Sequence, residues 1–453
     1  MTAGSAPPTS VWRGPYLWVT VGAVAMIFLA ATQALAVTTV MPVVSADLDG
    51  GALYAVAFAA TLATSVVGMV AAGAWCDRGG VLAPLTTSVA LFVIGLVLAG
   101  VATSMEVLVV GRLIQGLGTG GQTVALYVVV ARFYPPAMHG RVFAAFSAAW
   151  VVPSLIGPVL AGAVAEFLHW RWVFLGVAAL TLAAFTAVVL RLHGLPLGTD
   201  DPSRARIGLR LSLAVAVAAG ALALSLAGEL GAYALIAVAV SVAVIILAIR
   251  PLLPARTLRS GRGLPSVVLM RGLIAAALFG GEIYVPYLLI DEFAFSPTWA
   301  GLGLTAAAIM WAVAADVSGR FGDRLGNTRI AVFGVAQLAA ATAAVGATAL
   351  WHLSPTVLVV GWALAGGGMG LMYPRLTVLT LAYSTPHNQG FNSSALSISD
   401  ALGSAVSIAV LGLVFTALGG GQAAFSAVFA ITTVVALVAL VPGMRLGHAR
   451  EAI

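Results

Sequence analysis

The 453-residue chain is 61% hydrophobic and only 8% charged, with a mean hydropathy of +1.08, a composition at which no water-soluble fold could cover its own surface. Its apolar runs repeatedly reach the ~20 residues of a membrane-crossing helix, whereas an outer-membrane barrel would show ~10-residue alternating segments. All 21 basic residues are arginine, and the absence of lysine removes a Walker A phosphate loop and a lysine Schiff base together.

The formal charge of +6 comes from arginines scattered in short loops with no basic domain behind them. It therefore points to membrane topology and not to nucleic acid. Cys76 is the only cysteine, which rules out a disulfide framework and leaves a reduced thiol in a cytoplasmic loop. The six histidines (139, 169, 193, 352, 387 and 448) fall in or beside loops, which argues against a metal site or a histidine relay inside the membrane. No cofactor is expected.

The polar segment 1–16 is expected to be a cytoplasmic tail, and the apolar stretch after it lacks a small-residue cleavage site, so it is read as a retained first helix. The pattern predicts fourteen spans, at 17–43, 52–74, 81–103, 107–131, 142–165, 172–191, 210–228, 231–249, 265–290, 298–319, 328–350, 356–383, 390–416 and 422–443. The fold class expected is all-α and membrane-embedded: a first six-helix half over 17–192, linkers and an inserted two-helix hairpin over 193–263, a second six-helix half over 264–443, and a cytoplasmic tail over 444–453. Arginine placement tests the count. Seventeen arginines fall at the cytoplasmic side, only Arg171 lies outside, and Arg112, Arg271 and Arg375 lie within spans, which satisfies the positive-inside rule with both termini cytoplasmic. If 210–249 crossed once instead of twice, the second half would invert and carry its arginines outside.

Four chemical features stand out in chain order. FLAATQALAVTTVMP (28–42) places Gln33 in the first span. GAWCDRGG, between spans two and three, carries Gly73, Asp77, Arg78 and Gly80, and GRFGDRLG after span ten repeats it as Gly319, Asp323, Arg324 and Gly326. VVGRLIQGLGTGG (109–121) puts Arg112 into an apolar span and follows it with Gly116, Gly118, Gly120 and Gly121, and an ionisable residue at such a depth is a functional candidate. PSLIGPVLAG (153–162) in span five holds Pro153, Gly157, Pro158 and Gly162, where lost backbone bonds and close contact allow a bend.

The fourth span also reveals a duplication. Without a gap, 13 of the 37 positions from 104 to 140 are identical to those from 354 to 390, including Gly116/Gly366, Gly118/Gly368, Gly120/Gly370 and Gly140/Gly390. Where the first copy has Arg112, the second has Trp362.

These motifs together resemble the major facilitator superfamily, and within it the 14-spanner drug:proton antiporter branch, over nearly the whole chain. The resemblance implies a fold of two halves that rock about a central site. It assigns the gate to Asp77, Arg78, Asp323 and Arg324, with Asp316 one turn before the second loop, and it assigns proton coupling to Arg112. It also assigns antiporter character to Pro153, Gly157, Pro158 and Gly162, together with WRWVF (170–174). Two departures matter. The basic residues expected after Gly80 are Val81 and Leu82, and the acid expected in the first span is replaced by Gln33, which cannot carry a proton.

Arginine stays charged inside a protein, so Arg112 either acts on a nearby acid or satisfies backbone carbonyls and fixes packing. The remaining intramembrane acids are Glu282, Asp316 and Asp400. Asp400 and Arg375 lie at similar depths on adjoining spans, which suggests a charge pair of either structural or functional use. Glu282 has no cation near it in sequence and is the first choice of proton carrier, with Asp400 second. Gln33, Gln115, Gln122, Trp150, Tyr284, Tyr287, Trp311 and Tyr373 are the candidate cavity residues. Few fixed charges and many aromatics suit a small hydrophobic or amphiphilic substrate. The partners expected are that substrate, protons and the lipid bilayer, with no nucleic acid, and the chain is expected to act as a monomer exporting the substrate from the cell membrane. The competing readings are an importer or lipid flippase of the same fold and, in another class, a membrane sensor or scaffold, or one subunit of an ATP-driven complex.

Overall fold

The computed structural model describes residues 10–49, 53–195, 197, 207–295 and 297–447. Among the described residues there are sixteen α-helices, joined by short turns and 3-10 segments. The first six are α1 (Leu17–Asp47), α2 (Tyr54–Cys76), α3 (Leu82–Gly100), α4 (Met105–Phe133), α5 (Pro136–Phe167) and α6 (Arg171–Leu192). An inserted pair follows, α7 (Ile207–Leu226) and α8 (Ala234–Ile249). The rest are α9 (Leu264–Glu282), α10 (Tyr284–Asp291), α11 (Pro297–Leu325), α12 (Asn327–Trp351), α13 (Pro355–Ala382), α14 (Gln389–Ala417), α15 (Gly421–Val438) and α16 (Leu440–Gly443). In an apolar medium a helix satisfies its own backbone, which is why apolar run length alone locates these elements.

Each expected span has a helical counterpart, and two of them are divided. Span 265–290 becomes α9 and α10, split at Ile283, whose own backbone angles stay in the right-handed helical region. Span 422–443 becomes α15 and α16. Twelve stretches of the described residues are long and apolar enough to cross a membrane. α5 and α11 are not among them, and both include residues whose side chains lie outside the described set.

The duplication governs the packing. α4 lies against α2 and α3 as α13 lies against α11 and α12, while α1 packs on α5 and α6 as α9 packs on α14 and α15. The repeated glycines do equivalent work in both copies. A Cβ on Gly116 or Gly120 would collide with the Thr61 or Ser65 carbonyl of α2, and one on Gly366 or Gly370 with the Ala307 or Trp311 carbonyl of α11. On the next face of α4, Gly118 meets the backbone of Phe92 in α3, and Gly368 meets that of Gly334 in α12. Trp362, at the position of Arg112, is fully buried and packs edge-on to Phe429.

The two copies also touch each other in pairs, α2 with α14 and α5 with α11. One apolar core fills the first copy. The other joins the second copy to the inserted pair and to Val66, Met69 and Val70 of α2. The inserted pair reverses at Gly231, which takes φ 51°.

Candidate functional site

Two polar assemblies lie where the copies meet. The first is at the end that carries the repeated loops. Gly73 of α2 packs backbone to backbone on Gly390 of α14, and Gly140 of α5 packs on Gly319 of α11, so the small residues that recur in both copies form both seams. Asp77 crosses the first seam, and its two carboxylate oxygens accept the Gly390 and Phe391 N–H groups at 2.7 and 2.8 Å. These N–H groups belong to the first turn of α14, which has no intrahelical acceptor for them and carries the positive end of the helix dipole. Burial nonetheless pushes the Asp77 carboxyl up to about 6, with the two N–H groups, Arg132 and Arg210 opposing.

Arg132, at the end of α4, ties the same place together. It donates to the Cys76, Gly79 and Leu197 carbonyls on its own side, and to the Pro386 carbonyl and Gln389 Oε1 of the other copy. The sequence marked Arg132 only as a topological charge, because its partners lie 53 to 257 residues away.

The second loop copy is wired differently. Asp323 accepts from Arg375 at 2.6 Å, and Arg375 Nε also donates to Asn327, so this network stays within one copy. Arg324 is exposed. Asp316 pairs with Arg320 one turn on, both more than half exposed, a contact worth about 0.3–0.5 kcal/mol.

The second assembly lies deeper. Arg271 of α9 donates to Asp400 of α14 at 3.0 Å, to the Tyr373 carbonyl and to Thr377 of α13. The Tyr373 hydroxyl donates to the same Asp400 oxygen. Tyr127 of α4 brings its hydroxyl to Arg271 from the first copy, backed by Phe143 and Phe146 of α5. On the other side Trp311 stands edge-on to Tyr373, with Phe279 beyond it. Pro374 lies inside α13, where it cannot donate to the preceding turn, and the nearby carbonyls of Tyr373 and Leu371 are taken by Arg271 and Ser318.

The expected Arg375–Asp400 pair is not formed. Equal depth does not fix azimuth: Arg375 is two residues, or ~200°, around α13 from Tyr373, and so turns to α11 and the start of α12. Asp400 is held by an arginine of a third helix, α9, drawn close where Gly272 meets Ser399 and Gly403.

The other candidate residues scatter. Arg112 is buried, and donates to the Ala57 carbonyl of α2 and to Gln115, so it satisfies a backbone acceptor and braces α4 on α2. Gln122 donates to the Met26 carbonyl of α1. Gln33 is fully buried, and among the described residues neither its amide atoms nor the Trp311 indole nitrogen has a hydrogen-bond partner. Gly157 and Gly162 face Leu35 and Thr39 of α1 at ordinary contact distance, while the Pro158 side chain lies outside the described residues. Pro153 is buried and Trp150 exposed. Tyr284 and Tyr287 belong to a separate cluster with Phe415. Glu282 makes no ion pair among the described residues. A cleft of about 460 Å³ lies between the end of α2 and the start of α7, lined by Ala71, Trp75, Arg78, Gly79, Ile207 and Leu211. It borders the first assembly through Gly79, whose carbonyl accepts from Arg132, and none of its lining residues belongs to the second.

The arrangement defines a helical membrane protein of two pseudo-symmetric copies, which meet at a capped seam and around a deeper aromatic and ionic knot. The Major Facilitator Superfamily profile matches residues 21–289 and again 268–451, and the chain belongs to that superfamily of membrane transporters. A probable multidrug-efflux transporter of Mycobacterium tuberculosis is 28% identical over 467 residues, covering 98% of each chain. An uncharacterised transporter of Schizosaccharomyces pombe is 27% identical over 154 residues, 34% of this chain and 26% of that one, so the match spans about a quarter of that relative's length. Among solved structures, the human organic anion transporter MFSD10 superposes with a TM-score of 0.73 at 16% identity, over 96% of this chain and 100% of that one.

Proposed function

We propose that this chain is a 14-span secondary transporter of the cell membrane, with both termini cytoplasmic. It exports a hydrophobic or amphiphilic compound in exchange for protons, by rocking the halves 17–192 and 264–443 about a central site. The observation that carries this reading is the knot of Tyr127, Arg271, Tyr373 and Asp400, which joins both copies and lies beside Trp311 and Phe279. Aromatic walls with one internally balanced ion pair suit an apolar or amphiphilic solute, and the Mycobacterium tuberculosis relative carries a multidrug-efflux name.

A proton carrier must alternate between a charged and a neutral form. Asp400 is already balanced by Arg271, whereas Glu282 has no such cation among the described residues. Glu282 is therefore the first choice of carrier, with Asp400 the gating or second acid. Arg112, braced on Ala57 and Gln115, would act on coupling through the position of α2 against α4. The test is gradient-driven efflux from proteoliposomes containing only this chain. Glu282→Gln should abolish proton-driven flux while substrate binding survives. Asp400→Asn leaves Arg271 buried without its counter-charge, and should cost stability on the order of 3–5 kcal/mol. An unchanged pH dependence of flux in Glu282→Gln overturns the assignment.

A further inference from the structure

The inserted pair reaches the seam between the two copies. α7 packs far more extensively on α2 than on α14, but it meets both. Ala214, Val217, Ala221 and Leu224 of α7 share one apolar core with Val66, Met69 and Val70 of α2. Near the start of α7, the Arg210 guanidinium lies 4.3 Å over the Phe391 ring, and Phe391 is one of the two residues whose N–H groups Asp77 accepts. Val70 and Ala74 of α2, Arg210, Leu252 and Phe391 and Ser394 of α14 surround one point where the three bodies meet. Arg210 also lies within electrostatic reach of the Asp77 carboxylate. A guanidinium that only anchored α7 to lipid headgroups would extend along the membrane surface. Here it turns inward onto a ring at the seam.

We propose that the inserted pair is the third member of the lock: Arg210, carried with α2 on α7, seats Phe391 and the first turn of α14 on Asp77, so the copies part at this end only when α14 slides from beneath it. This assigns the α7–α8 pair a role in the conformational cycle, and its consequence for transport rests on the alternating-access reading above. The lock is the part of the cycle that positions α14, and Arg210 is a positioning residue that needs no contact with substrate.

Cys76, the only cysteine in the chain, is fully buried in the apolar core of the first copy, one residue before the Asp77 that crosses the seam, and is a native reporter. Its rate of alkylation by a maleimide, in the purified full-length protein at fixed pH, reads how often this end opens, with neither gradient nor substrate present. Arg210→Ala should quicken alkylation about two- to fivefold, and Arg210→Lys, which keeps the charge and the helix but loses the planar stack, should fall between Arg210→Ala and wild type. In a Phe391→Leu background, Arg210→Ala should add nothing. An Arg210→Ala rate equal to wild type, or an effect that persists undiminished without the Phe391 ring, overturns the proposal. Altered alkylation in a protein that shows no proton-driven flux would refute the export reading and leave the lock standing.

Discussion

Asp77 shows how burial and a helix terminus compete at one side chain. Its carboxyl is pushed up to about 6 in the closed seam, against ~3.9 for a solvated aspartate. A site that binds its proton more tightly when closed favours closure as the pH falls. That contribution is fully present below the solvated value and is lost as the pH rises through about 6. The closed population relative to the open one should therefore grow roughly tenfold from pH 7 to pH 5. Spin labels at Ala83 and His387, on a Cys76→Ser background, would read the distance across the seam. Asp77→Asn should flatten the response, and a wild-type distance distribution independent of pH would refute the mechanism. By contrast, the Asp47–Arg171 pair is partly exposed, and solvent screening leaves it little stabilising effect.

Among the elements, the inserted pair carries the strongest topological consequence. Arginines crowd both its ends, Arg204, Arg206 and Arg210 before it or in its first turn and Arg250, Arg256, Arg259 and Arg262 after it. The turn at Gly231 sends α8 back along α7. Reporter fusions near Ser203 and Ser260 should read cytoplasmic and one near Gly231 external. External activity at Ser260 would reverse the second copy and overturn the fourteen-span topology. α11 shows how an element can be right in extent and weak in signal: it holds Asp316, Arg320, Asp323 and Arg324 near one end, so its register rests on Gly319 meeting Gly140 and on Trp311 and Ala307 meeting the glycines of α13.

At the scale of the molecule, the two ties across the seam are unequal. Arg132 and Asp77 bind the first copy to α14, while the Asp323 network closes on itself. Arg132→Ala removes two hydrogen bonds that must break on opening, each worth about 1 kcal/mol, so Cys76 alkylation should quicken roughly thirtyfold. Arg375→Ala should leave that rate near wild type while lowering thermal stability. A reversal of the two outcomes would show that the second loop carries the lock instead.

The helices, the duplication and the two loop motifs were legible in the chain because each depends on local pattern: apolar run length decides what can span a bilayer, and glycine spacing decides which helix faces can approach. The repeat paired Gly116 with Gly366 and Gly120 with Gly370 as equivalent positions, and the tertiary structure then set the first of each pair against α2 and the second against α11. What the sequence could not specify was azimuth and partner choice among side chains far apart in the chain. Asp400 was read with Arg375, but α9 delivers Arg271 to it. Arg132 and Arg210 looked like topological charges, yet they hold or flank the seam with partners up to 257 residues away. A buried charge takes whichever counter-group the packed helices bring within about 3 Å. Only the tertiary structure, through the close approach of α9 to α14 and of α2 to both α7 and α14, decides which group that is.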